Sequence, residues 1–229
     1  MTSITTVSNG GTFGFVAYNK NTNEIVISFR GSANIQNWVT NLDFVKVDYK
    51  NIPGAQVHKG FNAAYESVSG QVISAAKAIH NAHSTASFFI TGHSLGGALA
   101  TIAAVDIKRN FGASTRVTLY TFGSPRCGNQ AFTDYVYSLL PQGNYYRVTH
   151  YNDVVPHMPP TNFNFNHVGE EVWYTQSGND LSYKVCNNGP GKPESNQCSD
   201  SIIAAGISNH LNYLGKSISG MCGKNAQIK

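Results

Sequence analysis

The chain has 229 residues, 41% of them hydrophobic and 11% aromatic, enough for one large core with no need of a second domain. Only 12% are charged and the net charge is +4, which leaves no basic stripe and argues against nucleic acid as a partner. No apolar run approaches the ~18 residues of a membrane span, and no basic-then-apolar leader stands at the start. Neither a transmembrane segment nor a signal peptide is therefore expected within these residues.

Strand and helix signals then alternate. Phe13 to Tyr18 and Glu24 to Phe29 read as strands joined by the turn-rich Asn-Lys-Asn-Thr-Asn, a hairpin. From Phe61 to Ile79, apolar residues including Tyr65, Val68 and Val72 recur at helical spacing. A strand around Phe88, a helical run from Ala98 to Ile107, strand Val117 to Phe122, helix Gln130 to Leu140 and strand Tyr145 to Tyr151 follow. Further strands are expected near Glu171 to Tyr174 and Leu181 to Val185. A last helix is expected from Asp200 or Ser201, with Ile202, Ile203 and Ile207 on one face. This order predicts an α/β fold, a mostly parallel central sheet with helices on both faces. Reactive side chains should collect at the carboxyl ends of its strands.

The most informative stretch is Phe88 to Ala100, FFITGHSLGGALA, an apolar strand, a glycine turn and a small-residue helix. Such a turn lifts Ser94 above the sheet edge, and the backbone N–H of Leu95, at the helix start, points where an oxyanion would form. Gly92 and Gly96 allow strand and helix to approach closely. A serine nucleophile needs a base, and the base an orienting acid, in the chain order Ser, Asp or Glu, His. Asp153 follows a strand directly, in a proline-rich loop (YNDVVPHMPP), whereas Asp106 and Asp134 read as solvated helix positions and Glu194 falls in a loop. Of the histidines after Ser94, His150 and His157 lie too near Asp153 in sequence to face it. His210 is the favoured base and His167 remains possible. His80 and His83 share a helix face, but no third ligand accompanies them, so no metal is predicted. Nothing calls for a cofactor.

Cys186 and Cys198 flank an aperiodic Gly/Pro/Asn-rich segment, and a disulfide there would staple a loop, as extracellular proteins do. Cys127 and Cys222 have no evident mates. Between the second strand and the long helix, Ile35, Trp38, Val39 and Leu42 fall at i, i+3, i+4 and i+7, a short amphipathic helix. Its apolar face is stable against water only when it covers something, or when it belongs to the core.

Together GHSLGGALA, VHKGFNAAY (Val57 to Tyr65), TFGSPRCGN (Thr121 to Asn129), THYNDVVPHMPP and the late His-Leu-x-Tyr resemble the class 3, fungal-type lipases of the α/β-hydrolase superfamily. The likeness runs from about Phe13 to Cys222. It implies Ser94 as nucleophile, Asp153 as acid and His210 as base. ISFRGSANIQNW is similar to the family's first oxyanion segment, which implies that Ser32 and the Leu95 N–H form the oxyanion hole. In such lipases the segment carrying Trp38 is a lid, implying an ester or lipid substrate met at an oil–water interface. Burying a Trp removes about 150–250 Å² from water, roughly 4–6 kcal/mol, so a lipid surface could open such a lid. The resemblance also implies secretion. Residues 1–229 are then expected to form one domain that lacks the family's amino-terminal segment. The usual partner of the cysteine matching Cys222 lies in that segment, so Cys222 should be unpaired. The expected activity is triacylglycerol hydrolysis through an acyl-serine intermediate. A feruloyl-type or other soluble carboxylesterase is the alternative, and a non-catalytic binding module on the same fold is the reading from another class.

Overall fold

The structure is a computed structural model that describes residues 1–178, 181–187, 189–204 and 206–218. Its strands are β1 (Thr2–Asn9), β2 (Thr12–Asn19), β3 (Glu24–Phe29), β4 (Lys46–Asp48), β5 (Gln56–His58), β6 (Ser87–His93), β7 (Val117–Phe122), β8 (Tyr145–His150), β9 (Glu170–Tyr174), β10 (Tyr183–Cys186), β11 (Asn212–Tyr213) and β12 (Lys216–Ser217). The α-helices are α1 (Ile35–Thr40), α2 (Lys59–Ala82), α3 (Leu95–Phe111), α4 (Gln130–Leu139) and α5 (Ile207–His210).

Among the described residues the main sheet has the order β1-β2-β3-β6-β7-β8-β9-β10. The pairs from β3 to β9 are parallel, and β1–β2, β2–β3 and β9–β10 are antiparallel. The mostly parallel sheet is therefore as expected, and its covering is uneven. Ile25, Ile27, Phe29, Phe88, Ile90, Val117, Leu119 and Tyr145 alternate onto one face. There they share a core with Tyr65, Val68 and Val72 of α2, the alanine-rich face of α3 and Phe132 and Val136 of α4. Most of the opposite alternates are half-exposed, and Phe89, Tyr120 and Tyr146 form a cross-strand aromatic ladder with ring centroids 5.5 and 5.1 Å apart. The three long helices thus lie together on one face of the sheet, not on both.

One strand precedes the first expected one, and one other reading is corrected. In β1 the β-branched Thr2, Ile4, Thr5, Thr6 and Val7 favour extended backbone, but Val7 is the one buried residue, and pairing with β2 holds the strand. The expected last helix does not form. A 3₁₀ turn at Ser199–Ser201 and the four-residue α5 stand in its place, and Ile203 is 88% exposed. The backbone of Gly206 explains this: its N–H bonds the Asn152 carbonyl, so this stretch extends the Asp153 loop. A Cβ on Gly206 would meet Asn152 Oδ1 at 2.5 Å and Asn209 Nδ2 at 2.8 Å, so a larger residue would push that hydrogen-bonded pair aside.

Candidate active site

The corner between β6 and α3 is as tight as the glycines suggest. A Cβ on Gly92 would lie 2.2 Å from the Gly96 carbonyl oxygen, and one on Gly96 would lie 2.2 Å from that of Phe29. Ser94 between them takes φ 59° and ψ −133°, a strained conformation for a non-glycine residue. It occupies the N-cap of α3, yet its hydroxyl makes no capping bond. The side chain is left for something else. Leu95 begins the helix, so its N–H is one of the unpaired donors at the positive end of the dipole.

Asp153 lies just beyond β8 and His210 ends α5, and the fold brings them together. His210 Nδ1 sits 2.8 Å from Asp153 Oδ2, both residues being almost fully buried. The other carboxylate oxygen, Oδ1, accepts the Val155 backbone N–H at 2.9 Å. His210 Nε2 and Ser94 Oγ are both buried and neither makes a hydrogen bond. His167, the other candidate base, is placed elsewhere: its ring faces the Pro156 carbonyl at 2.7 Å and burial pushes its pKa well below the usual range.

Two residues that the pattern did not single out complete the arrangement. The Tyr213 hydroxyl donates to Asp153 Oδ2 at 2.6 Å. His93 donates from Nε2 to the His210 carbonyl at 2.8 Å, and its ring lies 4.4 Å from that of His210. Burial, and then the adjacent His210, hold the His93 pKa down at about 3, so it is neutral and its proton stays on the nitrogen that grips the backbone. His93 directly precedes Ser94 in the sequence, and no spacing marks it as a support for His210. Tyr213 was visible only inside the His-Leu-x-Tyr motif.

A partly buried ion-pair cluster is joined to the Asp153 loop through His157. Arg126 binds Glu194 with two nitrogens and reaches Asp200 at 3.2 Å, while His157 joins Asp200 to the Asp153 carbonyl. Glu194 and Asp200 flank Cys198, and the Cys186–Cys198 disulfide is present. Asp106, expected in solvent, is buried and accepts from the Tyr65 hydroxyl at 2.9 Å and from Lys50. Cys127 is free and buried, its thiol pushed up by desolvation. Cys222 lies outside the described residues.

Ser32 follows β3 with its hydroxyl paired to the backbone of Asn34, the N-cap of α1. The apolar stripe of α1 is divided. Ile35 lines a cavity of about 450 Å³ together with Ser94 and His210. Trp38 and Leu42 line a second one of about 490 Å³ and pack on the core, Trp38 stacking on Phe61 at 6.1 Å. Val39 is half-buried. Among the described residues no His, Cys, Asp or Glu side chains converge as a metal site, and no helix is long and apolar enough to cross a membrane.

Residues 26–163 match the family described as lipase (class 3). The chain belongs to the class 3 lipase family. It is 39% identical over 202 residues to a lipase of Rhizomucor miehei, covering 86% of this chain and 53% of that one. It is 37% identical over 204 residues to a secreted mono- and diacylglycerol lipase of Fusarium solani, covering 87% and 59%. This class 3 lipase relative thus spans only part of the length of the curated relatives it matches. A solved triacylglycerol lipase, described as having a serine-protease triad as its catalytic centre, superimposes with a TM-score of 0.84. It is 34% identical and is covered to 83% by 95% of this chain.

Proposed function

We propose that this chain is a serine carboxylic-ester hydrolase acting on acylglycerols, with Ser94 as nucleophile, His210 as general base and Asp153 as its orienting acid. One observation carries the reading: His210 is oriented by Asp153 through Nδ1, while its Nε2 and Ser94 Oγ are the two reactive atoms left buried without a bond. Ser94 Oγ attacks the ester carbonyl as its proton passes to His210 Nε2. The oxyanion is met by the Leu95 N–H and by Ser32, donors worth about 3 kcal/mol each. His210 then protonates the leaving alcohol, the acyl group remains on Ser94, and water activated by the same imidazole releases it. Asp153 supports the imidazolium through its bond to Nδ1. The likeness to named lipases supports acylglycerols as the substrate class, and the disulfide supports a secreted protein.

Within this reading α1 is the lid, moving when Trp38 finds a lipid surface. A second reading, a soluble esterase, is favoured by one feature: Asn37 and Asn41 line the same cavity as Trp38, which makes that side of α1 half polar. Labelling with a serine-directed phosphonate tests the reading shared by both. Ser94 should carry the label, and a label mapped to another serine would overturn the assignment.

A further inference from the structure

The two cavities beside α1 divide the site. Among their described linings Ser32 alone borders both. Ser94 and His210 face only the first, whereas Leu95, Trp38 and Leu42 face only the second. The stereochemistry of acyl transfer gives this division a meaning. His210 must hand its proton to the leaving oxygen, so the alcohol lies on the side of His210 Nε2. With the oxyanion toward the Leu95 N–H, the acyl chain is left the second cavity, which Leu95 and Trp38 line.

The first cavity is also lined by Ser28 and Thr91, direct register partners on β3 and β6 whose side chains alternate onto the helix-free face of the sheet. Neither hydroxyl makes a hydrogen bond with a described residue. Ile35, Leu211 and Ile218 give the cavity its apolar lining, and Arg30, Ser32 and His93 add polar groups to it. Thr91 precedes Ser94 by three residues, so at about 3.3 Å per residue it lies roughly 10 Å along the chain from the nucleophile.

Resting on the hydrolase reading above, we propose that this cavity is the leaving-alcohol subsite and that Ser28 and Thr91 set its specificity. It takes an alcohol with an apolar span and a second oxygen function, a hydroxyl or an ester, at the far end. A partial glyceride is one such alcohol.

The test uses two ester series and the intact chain. In one series the acyl group is butanoate and the alcohol is methanol, octanol or octanediol; in the other, methyl esters carry acetate, butanoate or octanoate. The octanediol monoester should exceed the octanol ester in kcat/KM by about tenfold, the worth of one hydrogen bond. Ser28→Ala combined with Thr91→Val should bring that ratio near one. Ser28→Leu, which narrows the cavity, should lower both eight-carbon alcohol esters against the methyl ester by about tenfold and leave the octanoate-to-acetate ratio in place. The inference is overturned if the acyl ratio moves in place of the alcohol ratio, or if the diol preference is absent or survives the double substitution. Hydrolysis with a flat alcohol series would sink this inference alone. No hydrolysis of any ester, with no phosphonate on Ser94, would sink the parent reading as well.

Discussion

The Tyr213 hydroxyl donates to the Asp153 oxygen that also holds His210, 2.6 Å from one and 2.8 Å from the other. A carboxylate oxygen shared between two donors offers less negative charge to each. Tyr213 and His210 fix the position of that carboxylate oxygen between them.

Replacing Tyr213 by Phe should then leave the Asp153 carboxylate with one donor fewer. kcat should fall by up to about tenfold with KM little changed, because the lost hydrogen bond positions the acid and does not touch substrate. A kcat equal to that of the unaltered chain would show that the hydroxyl only fills space.

Ser94→Ala should lower ester hydrolysis by about 10⁴ or more while circular dichroism stays native, and Asp153→Asn should cost about 10⁴ by supplying the wrong tautomer. The double change Asp153→Asn, His210→Ala should cost little more than either alone, because the two act as a unit. Additive losses would mean that the 2.8 Å contact is not used in turnover.

Three histidines are buried in their neutral form. Burial is the leading cause at each: it lowers His58, pushes His93 to about 3 and pushes His167 well below the usual range. Their folded pKa values lie below the unfolded value of about 6.5, so the unfolded chain binds protons that the folded chain refuses. Stability should be full above that value and should fall as pH drops from about 6.5 toward 3. Urea midpoints measured across this window should decline, and His93→Gln should flatten the slope. A midpoint constant down to pH 4 would contradict the buried placement.

Trp38 lies on the core without being sealed in it, half-buried and stacked on Phe61. If α1 is a lid, activity on a short-chain ester should jump once droplets form. Trp38→Ser should blunt the jump and leave monomer turnover within a few-fold. A smooth curve through the solubility limit, the same in both proteins, would make α1 a fixed helix and favour the soluble esterase.

Removing the disulfide as Cys186→Ala, Cys198→Ala should cost roughly 3 kcal/mol by loop entropy. It should also loosen Glu194 and Asp200, whose partners Arg126 and His157 support the Asp153 loop. Calorimetry and turnover should fall together. A large loss of stability with full activity would separate the loop from the site.

Local chemistry made much of this protein readable in the chain itself. The glycines around Ser94, the alternation of β3, β6 and β7 and the 3.6 period of α2 are each dictated by near neighbours, and the structure keeps all of them. Asp153 could be read because a strand end and a proline-rich loop announce it. Tertiary structure alone decided the rest. Nothing local seats all three long helices on one face, or replaces a helix after Ser201 by a chain that bonds Asn152. The choice of His210 over His167, and the parts played by Tyr213 and His93, likewise wait on contacts between residues far apart in the sequence. Periodicity and turn chemistry report interactions spanning a few residues, whereas a buried donor finds its acceptor wherever the folded backbone has carried it. Asp153 and His210, 57 residues apart, meet only because β8 and α5 end at the same edge of the sheet.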